Sequence, residues 1–241
     1  MHHETISYQA DGLSMQSQLF YEPALRSRPG VLVFPEAFGI CEHSIDRAKR
    51  LATLGYVSLA CDLHGEGRFI DSLPDAMALL QPLFDDPLRT RARATAALQS
   101  LNARPEVDAT RIAAIGYCFP IPLELARSGA DIKSVVGVHT GLTTNLPTSD
   151  VNSIRAKMLV CIGADDPFIT SLHRSAYELE MRNANVDWQM HLYGSTVHSF
   201  SNPKAATHCM PEAIRYSPEA DAHSWQAMLD LFSETLGDRV V

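Results

Sequence analysis

Four residues, far apart in the chain, have the types that covalent catalysis needs: Glu36, Cys118, Asp166 and His198. A thiol can attack a carbonyl carbon, an imidazole can take up and return its proton, and a carboxylate can fix the imidazole's tautomer. Cys118 lies in RIAAIGYCFPIPLEL, residues 111–125. Ile112 to Ile115 is a short apolar run, the pattern of a strand buried on both faces. Gly116 breaks it, and Leu123, Leu125 and Ala126 resume at helical spacing. A turn residue between strand and helix projects at the carboxyl edge of the sheet. The helix N-terminus behind it favours an anion there, which suits a thiolate.

The other three residues also follow predicted strands. Glu36 comes after 31–34, Asp62 and His64 after 56–60, Asp165 and Asp166 after 158–162, and His198 after 186–193. In a helix-flanked sheet, ligands sit outside the carboxyl ends of the strands. Nucleophile, acid and histidine thus fall in one chain order at one rim. Each residue has a plainer reading. Cys118 could be a buried core cysteine, and Glu36 an ordinary loop carboxylate. Either of Asp165 and Asp166 could open a turn or helix, and only one of them can face the histidine. His64, next to Gly65, reads as structural, and His191, inside a strand, as packed or solvated. His208-Cys209 resembles a fragment of a metal site without a second cluster, so no metal is predicted.

The elements that must position these residues alternate along the chain. Residues 4–9 and 13–22 form a hairpin around Asp11-Gly12. Pro29-Gly30 turns into the strand 31–34. Helices are expected over 45–55, 74–84 and 87–102, from the Cys118 turn to Ser128-Gly129, and over 170–183 and 218–236. Strands fall at 56–60, 111–115, 135–138, 158–162 and 186–193. Arg89, Arg91 and Arg93 read as a solvated face of the third helix, with one able to reach the site. The pattern predicts an α/β fold: a mostly parallel central sheet flanked by helices, with an antiparallel N-terminal hairpin, in one domain over 1–241.

The 241 residues are 46% hydrophobic and 20% charged, enough for a sizeable core. The net charge of −8 argues against nucleic acid and against an anionic membrane surface, and leaves a small molecule as the expected partner. Cysteines at 41, 61, 118, 161 and 209 include no CxxC pair, so no disulfide framework is indicated. The start MHHETISYQ is polar, and no apolar stretch approaches the length of a membrane span. A reducing cytoplasm is the expected location. His2 and His3 are set aside from site reasoning. The sequence sets no oligomeric state.

The turn at Cys118 matches the nucleophile elbow of α/β-hydrolases, with Cys in place of Ser. Gly116 supplies the first glycine of that motif and Pro120 stands where the second falls. Gly116-Tyr117-Cys118-Phe119, GADDPF at 163–168, YGSTVHSF at 193–200 and PEAFG at 35–39 together resemble the dienelactone hydrolase family. The resemblance runs from the entry hairpin to HSWQAML in the last helix. It implies an α/β-hydrolase acting on a small ester or lactone, with no cofactor. It also implies a triad of Cys118, His198 and Asp166, with Asp166 chosen because Pro167-Phe168 follows it. Glu36 matches a glutamate that restrains the cysteine and takes its proton when substrate binds. The backbone N–H groups of Phe119 and Ala37 would form the oxyanion hole. Two features depart from the family pattern. Pro120-Ile121-Pro122 replaces the usual glycine pair, and Asn202-Pro203 stands where an arginine often holds the substrate carboxylate. Arg68, Arg89 and Tyr117 are then the candidate substrate contacts. An elbow so altered could instead leave a small-molecule binding protein, or a thiol with a redox role, although no resolving cysteine is evident.

Overall fold

The computed structural model describes residues 1–23, 26–146, 153–208 and 210–237. Strand β1 (His2–Ala10) returns as β2 (Leu13–Tyr21) through Asp11 and Gly12. Their φ values of 50° and 72° are the positive pair that a two-residue type I′ hairpin requires. The chain then alternates: β3 (Arg28–Phe34), α1 (Glu42–Thr53), β4 (Val57–Ala60), α2 (Leu73–Asp85), α3 (Pro87–Asn102), β5 (Val107–Tyr117). It continues with α4 (Ile121–Arg127), β6 (Ser134–Val138), β7 (Lys157–Gly163), α5 (Ser171–Asn183), β8 (Trp188–Tyr193) and α6 (Pro218–Leu236).

Among the described residues, eight strands join one sheet in the order β1-β2-β4-β3-β5-β6-β7-β8. The hairpin meets β4 antiparallel, and every later pairing is parallel. Side chains alternate between two cores, as the strand period of two requires. Leu32, Ile112, Ala114 and Val160 face one core, covered by α2, α3, α4 and α5. Val31, Val33, Ala113, Ile115 and Leu159 face the other, covered by α1 and α6. Among the described residues, no helix is long and apolar enough to cross a membrane.

Two local expectations are corrected. Pro29 and Gly30 are not a turn but lie inside β3, where the pairing with β5 shifts register between them. The shift accommodates a proline that has no N–H for the ladder. The arginines of α3 do not form a solvated face either. Arg91 and Arg93 are buried, Arg91 on Glu124 at 3.0 Å and Arg93 on Asp11 at 2.6 Å.

Candidate active site

The strand order places β4 and β5 on opposite sides of β3, so connections diverge there and leave a crevice at the carboxyl edge. Glu36 leaves the end of β3 and Cys118 leaves the end of β5, and the two strands pair at Phe34 and Gly116. Cys118 has φ of 63°, a conformation that costs a non-glycine residue of order 1–3 kcal/mol and so marks a position held by its surroundings. Its N–H donates to the Val138 carbonyl at 3.3 Å, and its carbonyl accepts from Gly141 N–H at 2.9 Å. Pro120 caps α4, and Pro122 falls in the helix's first turn, where a missing N–H costs nothing. A Cβ on Gly116 would meet the Pro122 ring at 2.6 Å. The absent side chain at 116 therefore admits the proline that occupies the usual glycine region.

Asp166 follows β7 and is buried, whereas its neighbour Asp165 is exposed. Oδ2 of Asp166 accepts from Nδ1 of His198 at 2.8 Å, and Oδ1 accepts from Phe168 N–H at 2.9 Å. With Nδ1 so engaged, Nε2 is the nitrogen left to face the sulfur, and the ring is in hydrogen-bonding contact with Cys118. The His198 backbone is pinned on both sides, donating to Ala213 at 2.9 Å and accepting from Arg215 at 3.1 Å. Burial lowers the basicity of this ring, but its interactions with the Cys118 sulfur and the Asp166 carboxylate outweigh it and push its pKa up to about 10. Phe168 and His139 pack edge-on against it, with centroids 5.2 and 5.1 Å away.

Glu36 is buried and accepts at both oxygens, from Ser199 Oγ at 2.7 Å and from Asn202 Nδ2 at 2.6 Å. His43 Nδ1 lies 3.7 Å from it, and His139 Nε2 4.0 Å. Arg47 donates from Nε to His43 Nε2 at 3.3 Å, which places the His43 proton on Nδ1, toward Glu36. Burial holds both histidines below the ordinary imidazole range, His139 far below. The sequence reading did not single out Ser199, Asn202 as a partner of Glu36, or His139. His139 directly follows β6, so the strand-end rule applied to that strand would have found it.

Glu36, Cys118, Phe119, His198 and Ser199 share a cavity of about 410 Å³. Its remaining walls are mostly apolar, Leu80, Leu142, Ile169 and Ile214 among them. A second cavity, about 570 Å³, lies beyond Phe38 and Asn202 and contains His43 and Cys41. The smaller one is the candidate site, because it holds the thiol, the imidazole and the carboxylate together.

The other candidate residues lie elsewhere. Arg68 donates to the carbonyls of His64 and Gly65, and His64 Nε2 donates to the Ala37 carbonyl at 2.7 Å. Arg89 pairs with Asp11 in the hairpin turn at 3.0 Å. Tyr117 is buried in the opposite core against His43 and His139. None of Arg68, Arg89 and Tyr117 lines the 410 Å³ cavity. The Phe119 N–H lies 2.7 Å from the Tyr117 carbonyl across Cys118, while the Ala37 N–H has no protein acceptor among the described residues. Cys209 lies outside the described residues, and with it half of the His208-Cys209 pair.

The sheet, its switch point and the elbow define an α/β-hydrolase fold. A model of the dienelactone hydrolase family matches residues 17–236, and the chain belongs to that family. It is similar to m3DLH, at 45% identity and a TM-score of 0.93 over 98% of each chain. It is also similar to a dienelactone hydrolase-like promiscuous phosphotriesterase from metagenomic libraries, at 40% identity and a TM-score of 0.94, covering 98% of this chain and 99% of that one. A Bradyrhizobium protein named as a probable 2-oxo-3-(5-oxofuran-2-ylidene)propanoate lactonase is 28% identical over 203 residues, 78% of this chain and 81% of the relative. The chain is a hydrolase of the ester and lactone type.

Proposed function

We propose that this hydrolase works through a Cys118 acyl-enzyme, with Asp166 and His198 completing a triad. The observation that carries this reading is the buried Asp166–His198 pair, at 2.8 Å, with the far side of the ring on the Cys118 thiol. The sulfur adds to the ester or lactone carbonyl. The tetrahedral intermediate collapses with cleavage of the C–O bond, and the leaving alkoxide takes a proton from His198 Nε2. A water then gives its proton to the same nitrogen and attacks the thioester carbon. Release of the acid regenerates the thiolate–imidazolium pair. Asp166 holds the tautomer through both halves.

Two donors are expected for the oxyanion, on the order of 3 kcal/mol each. The Ala37 N–H is available, and the Phe119 N–H has to exchange its tight contact with the Tyr117 carbonyl for the substrate oxygen. Glu36 borders the nucleophile and tunes it from a position fixed by Ser199 and Asn202. The reading treats 1–241 as one domain, supported by the union of the eight described strands in one sheet.

The test pairs kinetics with mass spectrometry. Cys118→Ala is expected to abolish turnover of p-nitrophenyl esters with the fold intact, and brief exposure of the parent protein to such an ester should leave an acyl adduct on Cys118. Undiminished turnover in the variant removes the nucleophile. Tight binding of the ester with no adduct and no turnover would instead favour the binding-protein reading, to which the occupied Phe119 N–H lends support.

A further inference from the structure

Among the described residues, the lining of the 410 Å³ cavity contains neither lysine nor arginine. The arginines near its walls in sequence have protein partners. Arg174, next to His173, donates to the Ile169 carbonyl at 3.0 Å, and Arg215, next to Ile214, donates to the Pro211 and Ser195 carbonyls. Arg68 is held by the His64 and Gly65 carbonyls, Arg91 by Glu124, Arg93 by Asp11, and Arg127 by Glu124 and Glu180. Asn202, which lines the neighbouring cavity of about 570 Å³, donates to Glu36. The ionisable side chains of the lining are Glu36, Cys118, His173 and His198. His198 is already engaged by Asp166 and Cys118, and both Glu36 oxygens accept hydrogen bonds, from Ser199 and from Asn202.

A substrate carboxylate entering here would leave water, find no unengaged guanidinium or ammonium group, and face the Glu36 carboxyl and the thiol. Burying a charge without a partner is strongly unfavourable. An alkyl or aryl group would meet Leu80, Leu142, Ile169 and Ile214. The mouth continues the same character: Met77, Phe84, Phe168 and Met210 line it while remaining solvent-exposed. Exposed apolar side chains gathered at one opening mark a surface built to receive apolar matter.

We propose that the site accepts uncharged, apolar esters and lactones and rejects those that carry a carboxylate. This rests on the reading of the cavity as the hydrolytic site, and it sets the substrate class apart from an anionic lactone.

The experiment compares p-nitrophenyl pentanoate with mono-p-nitrophenyl glutarate, which have the same chain length and differ in a terminal methyl or carboxylate. The assay runs at pH 8. The neutral ester is expected to have a kcat/KM at least 100-fold higher. A ratio within threefold, or one favouring the glutarate, overturns the proposal. A second measurement needs no turnover: protection of Cys118 from iodoacetamide by pentanamide and by glutaric acid monoamide. Protection by pentanamide alone supports the proposal even if neither ester is hydrolysed, in which case the hydrolytic reading is what fails. Equal protection by both amides, or by neither, overturns it.

Discussion

Asp166→Asn isolates the relay, because it keeps the shape of the side chain and removes its charge. In the folded chain the His198 pKa stands at about 10 against an ordinary 6.5. That difference corresponds to on the order of 5 kcal/mol between the two ring states. Burial opposes the protonated ring, and the Cys118 sulfur and Asp166 together overcome it. Asp166 is therefore one of the two groups that stabilise the imidazolium formed during catalysis, and its charge is what the variant removes. A second cost comes from geometry. An amide can present its NH2 to Nδ1, which moves the ring proton to Nε2 and turns the base away from the thiol. Together these effects predict a fall in kcat/KM of about 10²- to 10⁴-fold. The assay is hydrolysis of a neutral p-nitrophenyl ester, alongside urea denaturation to show that the variant is folded. Asp165→Asn serves as the control, since Asp165 is exposed, and should stay within twofold of the parent. A folded D166N protein retaining kcat/KM within threefold would refute the relay.

Two further expectations follow from the elbow and the ring. Gly116→Ala puts a Cβ 2.6 Å from the Pro122 ring and 3.2 Å from Phe34 Cβ, so overpacking should cost about 1–3 kcal/mol and displace Cys118. An unchanged denaturation midpoint would show that the backbone yields without cost. The His198 ring should remain protonated through pH 8 in an NMR titration, since its pKa is raised to about 10. The folded chain binds this proton more tightly than the unfolded chain. The ring's contribution to stability is therefore complete below about 6.5 and is lost as pH rises toward 10. A ring resonance that titrates near 6.5 contradicts the ion pair.

Much of this was legible because strand and helix periods differ so sharply. The apolar runs at 31–34, 112–115 and 158–162 each end in a polar residue at the sheet's rim, and Glu36, Cys118 and Asp166 were found that way. Asp11-Gly12 announced its hairpin because Asp-Gly suits the two positive φ angles of a type I′ turn. What the pattern could not supply was partner choice across long sequence separations. Arg93 meets Asp11, 82 residues away, and Arg91 meets Glu124, 33 residues away, so charges that read as solvated are buried ties between layers. Tyr117 adjoins the nucleophile in sequence, yet the period of two sends it to the opposite core. Ser199 was read only as part of YGSTVHSF, and Asn202 only as a departure from an arginine, and the fold is what brings both to Glu36.

The Glu36–Asn202 contact also acts as a bulkhead. Glu36 belongs to the chamber of about 410 Å³, Asn202 to the one of about 570 Å³, and Phe38 borders both. Phe38 and the Glu36–Asn202 contact lie where the two rooms adjoin. The upper limit on ligand size in this scaffold is thus set by side chains, and laboratory evolution toward bulky molecules could lift it by merging the rooms while the sheet stays untouched.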